Sequence, residues 1–172
     1  MAAESLGRED IEAFDMTYLA EDSAQYDAAE AFVLLGSAVW TEVRQDLLEA
    51  SLRRAPRSVY VANPDIVAPR ETEFSTEPGA FAHRLADATG IEPQFFDKPF
   101  GNIFDLAFAP LGKVDKARTL MVGDSLHTDI FGGQAAGLKT ALIADYGFFA
   151  GHNVADPIAA SRIEPDYILK RP

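Results

Sequence analysis

From Ala31 onward the chain alternates short apolar runs with stretches whose apolar residues recur at helical spacing. Phe32-Val33-Leu34-Leu35 is an apolar run ended by Gly36-Ser37, which predicts a buried strand. Trp40 to Leu52 carries Val43, Leu47, Leu48 and Leu52 on one helical face. Ser58 to Ala62 predicts a second strand, stopped by Asn63-Pro64-Asp65, and Glu77 to Thr89 a helix with Pro78 near its start and Gly90 as its stop. The rhythm sharpens after Gly90-Ile91-Glu92-Pro93, the best candidate domain boundary. Strands are predicted at Pro93–Phe96, Thr119–Val122 and Lys139–Ala144, and helices at Asn102–Leu111 and Ser125–Ala136. A long loop then runs through Gly147, Gly151 and Pro157, and Tyr167-Ile168-Leu169 has the makings of a last short strand. Residues from Met1 to about Ala28 are polar and weakly periodic, suiting one short helix with a loop or a partly disordered lead-in.

Strands alternating with helices predict the α/β class, with a mostly parallel, Rossmann-like sheet and helices on both faces. The 172 residues suffice for one ample domain or two small ones, divided here as 1–90 and 91–172. Composition changes this picture little: 48% hydrophobic and 24% charged residues are ordinary for a globular chain. Charge changes it more. A formal net charge of -12 argues against sequence-independent nucleic-acid binding and against anionic membranes, since both rely on Lys and Arg. A phosphorylated small molecule stays compatible, because one bound cation inverts the field locally. The chain has no cysteine, which excludes disulfides and thiolate metal sites. The first residues do not read as a signal peptide, and no apolar stretch approaches membrane-spanning length. A cytoplasmic location is expected.

Ligands of open α/β sheets bind beyond the carboxyl ends of the strands. Two predicted strands end there in polar residues. One leads to Lys98, fixed by Pro99, a point charge suited to an anion when it is not merely a solvated loop lysine. The other runs Leu120-Met121-Val122-Gly123-Asp124-Ser125-Leu126-His127-Thr128-Asp129. It places Asp124 at a strand tip and Asp129 five residues on, in the first turns of the following helix. Carboxylate oxygens suit Mg²⁺, which takes one or two from a protein, while Asp124 and Ser125 serve equally as plain helix caps. His83, His127 and His152 share no metal-ligand spacing, and His127 reads as a solvent-facing helix residue. Gly132-Gly133 falls within a helix pattern rather than at its start, so it is no dinucleotide fingerprint.

The run from Lys98-Pro99 through Gly123-Asp124-Ser125-Leu126-His127-Thr128-Asp129-Ile130 to Ala136-Gly137 resembles the third and fourth motifs of the haloacid-dehalogenase-like (HAD) phosphatases. Asn63-Pro64-Asp65 with Pro69, Gly79-Ala80 and Ala88-Thr89-Gly90 are similar to the α/β cap of the NagD-like subclass, and Pro165-Asp166-Tyr167-Ile168 to its closing strand. The resemblance implies a cap-like domain over 1–90 and the later half of a HAD core over 91–172. It implies Mg²⁺ on Asp124, with Asp129 an additional carboxylate at or behind the metal. Lys98 would neutralise the nucleophile and the transferring phosphoryl group. Ser125 and Thr128 would line the phosphate, and Asn63 and Asp65 would lie on a cap loop that selects the substrate, a plain turn suiting the last two equally well.

Members of the family attack with the first aspartate of an Asp-x-Asp motif closing the first core strand, and no other motif above replaces it. Phe14-Asp15-Met16-Thr17 is only faintly similar: no apolar strand precedes it, and Thr17 stands where the acid/base would be. The resemblance therefore implies a Mg²⁺-dependent phosphatase of small phosphorylated metabolites in its complete form, with this chain inactive by itself. The alternative is a non-catalytic phosphate- and metal-binding or regulatory module. A core without its first strand also leaves the 119–122 strand with a free edge, to be covered by a second copy or by a missing N-terminal half.

Overall fold

A computed structural model describes Phe14 and residues 16–171. The contacts divide the chain into two compact units, one ending at Phe96 and one beginning at Asp97.

The first unit opens with α1 (Ser23–Ala28), capped by Asp22, whose carboxylate accepts from Ala24 N–H. This helix lies in the polar lead-in; Asp15, the weak nucleophile candidate, lies outside the described residues. Strands β1 (Phe32–Leu34), β2 (Val59–Val61) and β5 (Gln94–Phe95) form a parallel sheet in the order β1-β2-β5. Pairing with β2 places β5 in the first unit, so the contacts divide the chain six residues beyond Gly90. The crossovers run through α2 (Glu42–Arg54), N-capped by Thr41, and α3 (Pro78–Thr89), closed by Gly90 at φ 74°. The core gathers Tyr26, Phe32, Leu34, Leu48, Leu52, Val59, Val61, Ala82 and Leu85.

Two features depart from the sequence reading. Val43, assigned to the apolar face of α2, is exposed, while the polar Gln45 is fully buried. Gln45 is tolerated there because both ends of its amide are used: Oε1 accepts from Trp40 Nε1, and Nε2 donates to Glu49 Oε1 and Phe81 O. An antiparallel hairpin of β3 (Val67–Pro69) and β4 (Phe74–Thr76) also stands between β2 and α3, where no strands were expected.

In the second unit α4 (Gly101–Phe108) precedes β6 (Leu120–Gly123), β7 (Lys139–Ile143) and β8 (Tyr167–Leu169), a parallel sheet in the order β6-β7-β8. The single helix expected over 125–136 is instead a π turn, Leu126–Ile130, continuing into α5 (Phe131–Ala135). A short helix, α6 (Ala155–Ser161), replaces part of the loop expected before β8. Leu126, Ile130 and Leu142 form its buried cluster, packed by Phe149, Val154, Ile158 and Ile163. Asp166 ties β7 to the approach of β8, accepting from Lys139 Nζ at 2.7 Å and Thr140 N–H at 2.9 Å.

Among the described residues β6 pairs on one side only. Register places Leu120, Val122, Ala141, Ile143, Tyr167 and Leu169 on one sheet face, and Leu120, Val122, Tyr167 and Leu169 are each at least 39% exposed. A parallel sheet ordinarily has both faces covered; among the described residues the β6 edge is open and the outer positions of this face are exposed, while Ala141 and Ile143 at its centre are buried.

Candidate functional site

The corner at the carboxyl end of β6 is built around Asp129. Its carboxylate is 5% exposed and fully engaged. Oδ1 accepts from Lys98 Nζ at 2.7 Å, and Oδ2 accepts from Asp124 N–H at 3.0 Å and Ser125 N–H at 3.1 Å. One buried anion therefore fixes both the lysine and the turn that follows the strand. Gly123 makes this possible: a Cβ there would occupy the space of the Asp129 carboxyl group.

The local sequence explains how Asp129 turns back over the strand tip. Ser125 is extended and accepts from Thr128 N–H at its Oγ, while its carbonyl accepts from both Asp129 and Ile130 N–H. That doubling widens the first turn into a π turn, a form found often at functional sites. Gly132 and Gly133 let α5 approach closely. A Cβ at Gly132 would lie 2.9 Å from Pro99 Cα, and one at Gly133 would lie 2.8 Å from Met121 Cβ. The glycine pair is thus a packing device that brings the Lys98-Pro99 segment against the helix. Asp97, at φ 79°, precedes it, and its Oδ1 accepts from Lys98 N–H at 2.7 Å. A non-glycine residue in this conformation carries strain of a kind concentrated at functional loops.

Asp124 contrasts with Asp129. It is half-buried at the strand tip, and among the described residues no hydrogen bond or ion pair engages its carboxylate. Gly147, at φ 63° in the loop after β7, lies against it; a Cβ there would coincide with Asp124 Oδ2. No three acidic or histidine side chains converge among the described residues. The donor set is one carboxylate, within the one or two Mg²⁺ takes from a protein. It fits the cation as a single ligand and does not enclose it.

The structure brings together Lys98, Asp124, Ser125, Thr128 and Asp129 in the second unit. His127 is exposed. Asn63 and Asp65 belong to the first unit, where Asn63 closes a local turn by accepting from Asp65 N–H and donates to the buried Glu77. Glu77 also accepts from Arg70 and Ser75 and so anchors the β3–β4 hairpin, a role the sequence did not reveal. Gly123 and Gly147 are the other residues whose importance emerges only in three dimensions.

Comparison with known proteins points to one superfamily. A family model described as HAD-hydrolase-like covers residues 95–171. Over these residues the chain is similar to the HAD-like hydrolases. It is 32% identical over 108 residues to the acid sugar phosphatase of Staphylococcus aureus strain MRSA252, an alignment covering 63% of this chain and 39% of that protein. Identity to the 5'-nucleotidase YutF of Bacillus subtilis strain 168 is 40% over 81 residues, or 47% of this chain and 31% of that one. Two solved structures superpose with TM-scores of 0.72. A possible sugar phosphatase from Cytophaga hutchinsonii is 28% identical, over 87% of this chain and 54% of that one. A p-nitrophenyl phosphatase from Archaeoglobus fulgidus is 26% identical, over 85% and 55%. The chain thus spans well under two thirds of the length of the relatives it matches. No helix among its described residues is long and apolar enough to cross a membrane.

Proposed function

We propose that this HAD-like chain is the cation- and phosphate-holding part of a phosphomonoester hydrolase for a small phosphorylated metabolite. The observation that carries the reading is the division of labour between two carboxylates. Asp129 is consumed in holding Lys98 and the strand-tip turn, while Asp124 is left unpaired beside them. An anion and a cation are accommodated together only if one carboxylate stays available and one ammonium is fixed nearby.

In this reading Asp124 holds Mg²⁺, which supplies Lewis-acid polarisation of a phosphoryl oxygen when bound. Lys98 faces the anionic phosphoryl group as a fixed point charge. Ser125 and Thr128 flank the phosphate. Their backbone already serves the turn, so they contribute shape and hydroxyl donors. Asp129 orients Lys98, so positions in the corner are set before substrate arrives. The first unit is read as the cap and the second as the later half of the core, with Asn63 and Asp65 on the cap loop and the protein in the cytoplasm.

The attacking carboxylate is the part not found among the described residues. We place it on a further strand that adds parallel to the free edge of β6. Neighbouring strands lie about 4.8 Å apart, so a residue at that strand's tip would stand beside Asp124. The same addition would close the edge. The chain alone then binds without turning over. Assay with p-nitrophenyl phosphate and MgCl₂ tests this: no hydrolysis above background is expected. Robust hydrolysis abolished by Asp124→Ala would show that the chain carries its own nucleophile.

The second reading, a non-catalytic phosphate- and metal-binding module, is favoured by the same single-carboxylate donor set. It separates from the first when the chain is supplied with the missing strand as a co-expressed segment: turnover appears under the first reading only.

A further inference from the structure

We infer that Gly147 is a positioning residue for Asp124, holding its carboxylate in the site by lacking a side chain. The inference rests on the reading of Asp124 as the cation ligand and adds a residue from a different strand's loop to that corner. The loop follows β7, the neighbour of β6, so the tips of adjacent parallel strands bring Gly147 and Asp124 together. The volume a Cβ at 147 would need is the volume Asp124 Oδ2 occupies. The glycine backbone therefore forms one wall of the carboxylate's space. With no donor side chain holding Asp124 among the described residues, this wall bounds its carboxylate on one side.

Two demands meet at position 147, and the molecule separates them. Gly147 has φ 63°, where any side chain is strained. Gly151 has φ 76° in the same loop, but a Cβ there meets nothing within 4 Å. Gly151→Ala thus reports backbone strain alone, and Gly147→Ala reports the same strain plus displacement of Asp124.

The test is a stability cycle combined with Mg²⁺ titration, read from amide NMR signals of Asp124 and Ser125. Gly147→Ala is expected to destabilise the protein more than Gly151→Ala, and the excess should vanish in the Asp124→Ala background. The apparent Mg²⁺ affinity should fall at least about tenfold in Gly147→Ala and stay within about twofold of wild type in Gly151→Ala. Equal costs of Gly147→Ala with and without Asp124, or unchanged Mg²⁺ affinity in a folded Gly147→Ala protein, would overturn the inference. If Gly147→Ala alone does not fold, restored folding of Asp124→Ala/Gly147→Ala supports the contact and continued misfolding refutes it. Absence of Mg²⁺ binding in the wild type would instead sink the cation reading, leaving the stability cycle to decide the Gly147–Asp124 contact separately.

Discussion

Replacing Asp129 by alanine removes the one acceptor shared by Lys98 Nζ, Asp124 N–H and Ser125 N–H. Hydrogen bonds with an ionised partner contribute about 1.5–3 kcal/mol each, but the three do not contribute alike. Lys98 is 37% exposed and regains water when its partner is lost, so its share is under about 1 kcal/mol. The two backbone donors sit in a half-buried turn and keep about 3 kcal/mol between them, near the lower end of that range. Native-state hydrogen exchange at Leu142 and Ile143, in the central strand of the second unit, reads this loss locally. A loss of about 3 kcal/mol accelerates globally gated exchange on the order of 10²-fold. Lys98→Met should accelerate it by no more than about fivefold, which corresponds to about 1 kcal/mol. The ordering is the decisive feature. If Lys98→Met costs as much as Asp129→Ala, or if Asp129→Ala exchanges like wild type, Asp129 is not the group that organises the turn.

Three further outcomes follow from the geometry. Gly123→Ala should cost about 3 kcal/mol in urea denaturation, because the new methyl overlaps the Asp129 carboxyl group, and a cost below about 1 kcal/mol would remove the close approach from the account. Gln45→Ala should cost about 3 kcal/mol, since it empties a fully buried site and strips partners from Trp40 Nε1 and the Phe81 carbonyl; near-wild-type denaturation would contradict that network. The Lys139 ammonium and then the Thr140 N–H hold the Asp166 carboxyl below its usual value. A carboxylate depressed in the fold contributes stability above its unfolded value of about 4 and loses it as pH falls through its folded value. Melting curves between pH 3 and pH 6 should therefore fall less steeply toward acid for Asp166→Asn than for wild type.

The sequence exposed those parts of the fold in which one residue type has one structural meaning. Apolar runs closed by Gly, Asn or Pro located five of the six strands of the two parallel sheets, and Tyr167–Leu169 suggested the last. The β3–β4 hairpin escaped because Val67-Ala68-Pro69 and Phe74-Ser75-Thr76 are short, mostly exposed and joined without an Asn-Gly turn. Helix α6 escaped because Pro157 reads as a breaker, yet it lies in the helix's first turn, where a missing N–H costs nothing. Gln45 shows the converse: burial followed its partners, one of them, Phe81, on another helix, and not its polarity.

At the site, residue identities were legible and their roles were not. Asp124 and Asp129 are both acids near one strand tip, and spacing alone does not say which stays unpaired. That distinction comes from the π turn, from Gly123 leaving room for Asp129, and from the Lys98 segment packed against Gly132. Gly147 is further still from legibility, because a glycine in a loop carries no sign of what it leaves room for.

The most direct measurement is titration of the chain with inorganic phosphate, with and without MgCl₂, followed by calorimetry on wild type, Asp124→Ala and Lys98→Met. Phosphate binding is expected to require Mg²⁺, to disappear in Asp124→Ala and to weaken in Lys98→Met, with all three proteins folded. Phosphate binding that is indifferent to Mg²⁺ and unchanged in Asp124→Ala would contradict the reading of Asp124 as the cation ligand.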